Sequence, residues 1–421
     1  MTARSTSAAG ERPALVLVEP NLKMPYGHWC EHVPQLADAA KRRGLRLVIA
    51  APDGVDPATQ GRLDSAGAEV LSPVRPGLGP SGASMAAARI AHAVYVKAHA
   101  WRPRSPVPYQ FLLISRCLTE AAALRHARAR TGVAAAVILS AGESLAGAVS
   151  ALSGVPHVRI VHEVYSWDSP FFRFVEWLCR ASRRQVVAVC NTASVKCKLT
   201  RRYPDLAATV ATFAPRNPAA YVPDGERAVA RSLLALPRDG VIGCFIGGWW
   251  RTKDWKTVLA ALELSQSPVR LLIAGWPVDL AILGDARRTA DGRVHVLAKS
   301  LTSVELRAVY AACDFTLVSR FAGDETESGL VMDAVNYGLP LVLSDHDQNL
   351  NRVLAGADWV RFYSASDPAS LAHVLDGTLD KPIPRPSRAG VNALGMRTVD
   401  DVLSMLYDLA SNIPGGHNGK I

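Results

Sequence analysis

Short apolar runs alternate with helical patterns along most of the chain. The runs are rich in Val, Ile and Leu and are bounded by Gly, Pro or charged residues, which is typical of buried parallel strands. They are Ala14–Val18, Leu45–Pro52, Val133–Ser140, Pro156–Glu163, Val186–Ser194, Val241–Gly248, Val269–Gly275, Val294–Ser300, Asp314–Ser319 and Pro340–Ser344. The alternation predicts βαβ units, and therefore parallel sheets that bind ligands at the carboxyl ends of their strands.

Two segments interrupt this alternation. Residues 71–110 are rich in Pro, Gly and Ala and show no clear period, so no element is predicted there. Residues 203–238 contain five prolines and are interpreted as the connection between two domains. The predicted division is a disordered tail at 1–13, a first domain with the connection at 14–237, a second domain at 238–395, and a final helix with a tail at 396–421.

Composition narrows the class of protein. The chain has 421 residues, of which 49% are hydrophobic, and this is enough for two or three globular domains. No stretch offers the roughly 18 uncharged apolar residues of a membrane span. The seven cysteines are scattered without a CxxC pair, which argues against disulfides and zinc and favours a reduced cytoplasm.

Charge is divided unevenly between the two predicted domains. Residues 1–237 contain 29 Lys and Arg against 16 Asp and Glu, whereas residues 238–421 contain 18 against 21. The basic clusters are either solvated helix faces or a surface that attracts an anionic lipid or acceptor. The aromatic segment 167–177 is likewise either core or a membrane-contacting surface. Nucleic-acid binding is disfavoured, because the basic runs are not interleaved with base-stacking aromatic residues.

The stretch Ser319–Asp345 joins an acidic loop to a short helical pattern, Leu330–Tyr337. Its loop carboxylates are Asp324, Glu325 and Glu327. They either stabilise the positive end of the helix or bind hydroxyl groups while the Ser328 and Gly329 amides hold a phosphate.

The spacing within this stretch resembles a known signature. Glu325 and Asp333 stand eight positions apart, and Asp333 is followed by AVNYGLPLVLSD. This is similar to the Glu-x7-Glu and Gly-Leu-Pro signature of family-4 retaining glycosyltransferases, although Asp333 stands where the second Glu is usual. The resemblance implies an α/β protein of GT-B fold, with two Rossmann-like domains facing a cleft. GT-B enzymes often send their final helix back onto the first domain.

The resemblance also implies a second set of residues. Gly247 and Lys253 match the glycine and lysine of the family's phosphate-binding loop, while Gly248 replaces its arginine and Asp254 its second glycine. Arg251 is a candidate replacement for that arginine. His162 is either a satisfied residue at a strand end or, as in the family, a residue facing the transferred sugar.

The implied roles are as follows. Catalysis would use Glu325, Lys253 and His162, with Glu327 as the alternative to Glu325. The donor would be bound by Gly247, Arg251, Lys253, Glu325, Ser328, Gly329 and Asp333. The acceptor side would include Gly27 and His28.

The predicted function is transfer of a sugar, a hexose above all, from a nucleotide-diphospho sugar with retention of anomeric configuration. The acceptor would be a lipid-linked molecule, a polysaccharide or a small molecule, as in polysaccharide biosynthesis. The nucleotide sugar would be a co-substrate, with no cofactor and no metal. The protein would be cytoplasmic, or peripheral at the inner face of the membrane. A non-catalytic nucleotide-sugar or lipid-surface binding protein and a sugar-nucleotide epimerase remain the alternatives.

Overall fold

The structure is a computed structural model with two compact units. One comprises residues 1–211 and 399–421, and the other comprises residues 212–398. The residues that the structure describes are 13–24, 29–101, 107–133, 135–141, 145–162, 164, 169–211, 215–216, 220–247, 253–276, 284, 292–323, 329–387 and 394–413. Each unit contains a parallel sheet with helices between its strands, which confirms the predicted α/β class.

The first unit is built on a sheet of seven parallel strands in the order β3-β2-β1-β4-β5-β6-β7. The strands are β1 (Ala14–Val18), β2 (Arg46–Ala50), β3 (Glu69–Val70), β4 (Ala136–Ala141), β5 (His157–Val161), β6 (Val186–Cys190) and β7 (Ala207–Val210). The central strands are buried along almost their whole length, as their unbroken apolar runs predict.

In the described part of this unit, seven α-helices connect these strands. They are α1 (Trp29–Arg42), α2 (Pro57–Ala66), α3 (Pro80–Trp101), α4 (Val107–Thr131), α5 (Ala146–Ser153), α6 (Pro170–Leu178) and α7 (Ala193–Arg202). Local sequence fixes their ends: the Asp56 carboxylate accepts from the Ala58 and Thr59 amides at the start of α2, and Gly67 ends that helix with a φ of +73°.

The two longest helices, α3 and α4, cover much of the segment for which the sequence predicts no element. The buried face of α3 is formed by Gly82, Met85, Ala88 and Ala91. These residues share one face, but three of the four are Gly or Ala. Large apolar residues such as Ile90 and Trp101 are exposed instead, so no hydrophobic period marks the helix.

The second unit is built on six parallel strands in the order β11-β10-β9-β12-β13-β14, beside a two-stranded pair β8-β15. The strands are β8 (Pro215–Arg216), β9 (Ile242–Ile246), β10 (Arg270–Ala274), β11 (Val294–Leu297), β12 (Phe315–Val318), β13 (Leu341–Ser344), β14 (Val360–Tyr363) and β15 (Arg397–Thr398). Its helices among the described residues are α8 (Arg227–Leu233), α9 (Trp255–Leu264), α10 (Ser303–Ala312), α11 (Gly329–Tyr337), α12 (Gln348–Leu354) and α13 (Pro368–Asp380).

Residues 220–237, which the sequence assigns to the connection, pack within the second unit. Arg231 in α8 is buried, and its guanidinium contacts the Asp314 carboxylate at 2.8 Å and donates to the Ala312 carbonyl at 2.9 Å. The Val222 amide donates to the Tyr337 carbonyl at 3.1 Å. The division between the units therefore lies at residue 211, whereas the sequence predicts it at 237.

The final helix, α14 (Val399–Ser411), belongs to the first unit. Its buried side includes Val402 and Leu406, and its exposed Asp400 pairs with Arg42 of α1 at 2.9 Å. Among the described residues, no helix is both long and apolar enough to cross a membrane.

Candidate functional site

The strand order of the second unit creates a topological switch point between β9 and β12. The chain continues from β9 to β10 on one side of the sheet, whereas β12 lies on the other side of β9. In open parallel sheets, ligands bind outside the carboxyl ends of the strands at such a point. The predicted residues Gly247 and Lys253 follow β9 there, and Arg320 follows β12.

Two glycines approach each other at this edge of the sheet. Gly247 follows β9 with a φ of +96°, and Gly275 follows β10 with a φ of +144°. A Cβ on Gly275 would lie 2.5 Å from the carbonyl carbon and oxygen of Gly247, so no larger residue fits without moving the backbone. The glycines thus fix the course of the chain beside Lys253.

Lys253 is buried, with 8% of its surface exposed. Its Nζ donates to the Ile246 carbonyl at 2.5 Å and lies 5.4 Å from the centre of the Phe245 ring. Burial first, and the nearby charge of Arg320 second, lower its pKa to about 7. Among the described residues, no carboxylate forms an ion pair with Lys253. An anion bound beside it would therefore be stabilised and would restore its charge.

Asp254, which stands where the resembling family has glycine, caps helix α9. Its side chain accepts from the Thr257 amide at 3.2 Å, the Thr257 hydroxyl at 2.8 Å and the Ser366 hydroxyl at 2.9 Å. The departure from the family pattern thus has a local structural role, because the cap fixes the start of α9 directly after Lys253.

Helix α11 begins at the predicted Gly329 and carries the predicted Asp333. Burial raises the pKa of Asp333 to about 7, and the Asp333 charge adds to the burial that raises the pKa of Tyr310. The Tyr310 ring stacks on Tyr337 with centres 4.3 Å apart. Within the described part of the chain, Asp333 forms no ion pair. Its carboxylate is available to accept hydrogen bonds from a ligand hydroxyl.

The other predicted residues of the donor and acceptor sets lie outside the described residues. They are Arg251, Glu325 and Ser328 on the donor side, and Gly27 and His28 on the acceptor side. Gly248 and Glu327 also lie outside. The choice between Glu325 and Glu327 therefore stays a prediction.

His162 follows β5 in the first unit, and both of its ring nitrogens are engaged. Nε2–H donates to the Leu139 carbonyl at 3.1 Å, and Nδ1 accepts from the side-chain amide of Asn191. Burial lowers its pKa, which favours the neutral ring, and Trp29 packs edge-on against it with centres 5.3 Å apart. The arrangement fits a ring that positions neighbouring groups, since neither nitrogen is left for proton transfer.

Glu19 is a buried acid that sequence reasoning missed. It follows β1 and is fully buried, and its carboxylate accepts from the Asn21 amide at 2.8 Å and from the Ser140 hydroxyl in β4. Burial is the largest cause that raises its pKa to about 7. Its position at the carboxyl end of the first apolar run was the only available signal.

No protein-family model matches the sequence, and no curated protein matches it. Solved structures do match, and their likeness shows that the chain has the two-unit α/β fold of GT-B glycosyltransferases. A glycosyltransferase from Rickettsia africae matches with a TM-score of 0.65 at 11% identity, over 96% of this chain and 99% of that one. Anabaena HepE in complex with UDP-glucose matches with a TM-score of 0.63 at 12% identity, over 94% and 99%.

A third structure is similar over the same length. WaaG, a glycosyltransferase involved in lipopolysaccharide biosynthesis, matches with a TM-score of 0.59 at 13% identity, over 94% of this chain and all of that one. Because the identities are this low, the comparisons establish the fold, and the argument for an activity depends on the residues of the site.

Proposed function

We propose that the protein is a glycosyltransferase that uses a nucleotide-diphospho sugar as donor. The observation that carries this proposal is the position of Lys253 at the switch point of the second sheet, beside the close approach of Gly247 and Gly275. The buried cation without a carboxylate partner among the described residues suits a diphosphate. The likeness in fold to HepE, whose structure contains UDP-glucose, supports the same class of donor.

The reaction would transfer a hexosyl group with retention, as the Glu325-to-Asp345 signature implies. The bond between the anomeric carbon and the diphosphate oxygen breaks, and a bond forms on the same face to an acceptor hydroxyl. The hydroxyl proton passes to the departing phosphate oxygen. Lys253 stabilises the charge that develops on the diphosphate, which makes its contact stronger in the transition state than in the ground state.

Asp333 and the acidic loop would hold the rest of the donor. The Asp333 carboxylate would accept hydrogen bonds from the ribose hydroxyls, and Glu325 would contact the sugar. Amides at the start of α11, including that of Gly329, would face the phosphates with the positive end of the helix dipole. The donor would require no metal and no further cofactor.

Transfer of label tests the proposal. Wild-type protein and Lys253→Ala are incubated with radiolabelled nucleotide-diphospho sugars and a lipid and polysaccharide extract, and labelled product and free nucleotide are measured. We expect a product with wild type, and turnover lower by roughly a hundredfold or more in Lys253→Ala, since one preorganised charge contact is removed. Binding without product would favour a non-catalytic binding protein, and a changed donor sugar without acceptor would favour an epimerase.

The acceptor would be presented at an anionic membrane surface, which makes a lipid-linked acceptor the first choice. Helix α6 supports this. Four of its large apolar residues are each more than half exposed, namely Phe171, Phe174, Trp177 and Leu178. The Arg180 guanidinium lies 5.3 Å from the centre of the Trp177 ring. Exposed aromatic residues flanked by cations suit the boundary between headgroups and acyl chains.

Basic residues close to α6 in the sequence add positive charge to the same part of the chain. Arg173, Arg184, Lys198 and Arg201 are exposed on or near α6 and α7. Each basic residue near an anionic bilayer contributes about 1 kcal/mol. This surface would hold the protein at the inner face of the membrane without a spanning helix.

A further inference from the structure

Each of the two strands that flank the switch point is followed along the chain by a cation. Lys253 follows β9, Arg320 follows β12, and their backbones form an antiparallel bridge. Such a bridge brings two Cα atoms to within about 5 Å. After burial, the charge of Arg320 is the second cause that lowers the pKa of Lys253.

The backbone of Arg320 is fixed from two sides. Its amide donates to the Ser344 hydroxyl at 3.0 Å, at the end of β13. The preceding residue, Ser319, accepts from the Asp254 amide at 3.2 Å and donates its hydroxyl to the Asp254 carbonyl at 3.2 Å. Arg320 and Lys253 are thus held in a set register across the switch point.

Lys253 and Arg320 are both cations, and they lie opposite each other in the backbone bridge. A diphosphate carries enough negative charge to offset both, and a guanidinium can hold two of its oxygens at once. Gly248 stands where the resembling family has an arginine, so the loop after β9 supplies only one cation at the matched positions.

We propose that Arg320 is the second cation of the diphosphate site, acting with Lys253 across the β9–β12 switch point. The inference rests on the proposed function and names a residue that the sequence signature does not mark. Arg320 binds the diphosphate from the β12 side, so the arginine of the phosphate-binding loop is replaced from a different strand.

Binding of UDP, pyrophosphate and uridine to variants of the whole protein tests this. We expect Arg320→Gln to weaken UDP and pyrophosphate binding by about tenfold to a hundredfold, the loss typical of a charged hydrogen bond, and to leave uridine binding unchanged. Arg320→Lys should retain more affinity than Arg320→Gln. Arg270→Gln is the matched control, because Arg270 is also half-buried but begins β10 at the opposite edge of the sheet; its UDP affinity should stay within about twofold.

A chemical measurement on wild type guards against a variant that fails to fold. Phenylglyoxal modifies accessible arginines, and UDP should slow modification of Arg320 but not of Arg270, as mapped by mass spectrometry. Unchanged UDP affinity in Arg320→Gln, or equal labelling of Arg320 with and without UDP, overturns the inference. If Lys253→Ala loses UDP affinity in the same experiments, the proposed function still holds. If wild type does not bind UDP, any other nucleoside diphosphate or pyrophosphate, the inference and the proposed function are both wrong.

Discussion

The side-chain nitrogen of Lys253 occupies space that a larger residue at position 247 would need. A Cβ on Gly247 would lie 2.7 Å from Lys253 Nζ, which is closer than real Cβ atoms approach other atoms. The absence of a side chain at Gly247 therefore determines where the lysine charge lies. The position of this cation thus depends on a residue that contributes no functional group of its own.

Gly247→Ala should therefore displace Lys253 as well as strain the backbone. Gly240 is the matched control, since its φ of +93° is almost the same but its Cβ would meet only the guanidinium end of Arg270, at 3.1 Å. We expect both alanine variants to lower the melting temperature, because alanine is strained at these φ values. UDP affinity should fall at least tenfold in Gly247→Ala only.

Isothermal titration of both variants at matched fractions folded checks this prediction. Equal UDP affinity in the two variants would show that Lys253 is not positioned by the space at Gly247.

The sequence identified the second unit in more detail than the first. Strands β9 to β13 correspond to predicted apolar runs, whereas β14 contains Arg361 and was not predicted. Gly247 and Lys253 could be found because they follow one such run and match the phosphate-binding loop of the resembling family. Arg320 could not be found in this way. Its relation to Lys253 arises from a bridge between residues 67 positions apart, and chain order does not reveal that β12 pairs with β9.

In the first unit, the sequence did not predict α3, because Gly and Ala form most of its buried face. Glu19 escaped because a lone acid after a strand is ordinarily solvated. Only the three-dimensional fold shows that β4 brings Ser140 against it and that Glu19 is fully buried.

Glu19 should make stability depend on pH. Its folded-state pKa of about 7 lies above the ordinary value of 4.5, so the folded state binds the proton more tightly than the unfolded state does. The stability from the protonated carboxyl is present at low pH and is lost as pH rises from 4.5 through about 7. Glu19→Gln keeps a neutral group at this position at every pH. Its free energy of unfolding should therefore rise relative to that of wild type across this window, by up to roughly 3 kcal/mol.

Urea unfolding of both proteins at the two ends of the window checks the prediction. Glu31→Gln, which removes a half-buried carboxylate paired with Arg62, is the control for the loss of one negative charge. A constant difference between wild type and Glu19→Gln would mean that Glu19 titrates normally.

The α6 surface should attach the protein to anionic vesicles in a salt-dependent manner. We expect sedimentation with vesicles containing phosphatidylglycerol at low salt, less sedimentation at high salt, and little with neutral vesicles. Phe174→Ser with Trp177→Ser should weaken attachment at either salt concentration. Val229→Ser with Leu233→Ser on α8 is the control, since these residues are also exposed but have no aromatic neighbours on α8. Equal sedimentation of both double variants and wild type would remove α6 from the proposal.

The acidic loop offers two glutamates, and counting back eight positions from Asp333 selects Glu325. Glu325→Gln should lower turnover and leave the melting temperature nearly unchanged. Glu327→Gln should lower turnover little and reduce stability by about 0.3–1 kcal/mol, the contribution of an acid to the start of a helix. The reverse pattern in paired assays would move the role to Glu327.

Nucleotide binding should be coupled to protonation of Lys253. With a pKa of about 7, the free lysine is mostly neutral at about pH 8.5, and a diphosphate beside it raises the pKa because the anion favours the charged form. Wild type should therefore take up about one proton as UDP binds. Calorimetric titrations in two buffers that differ in ionisation enthalpy give the number of protons taken up.

Lys253→Met should abolish the proton uptake, whereas Asp333→Asn should not change it, because Asp333 is already ionised at that pH. Binding of UDP to wild type without proton uptake, or the same uptake in Lys253→Met, would show that the diphosphate does not lie against Lys253.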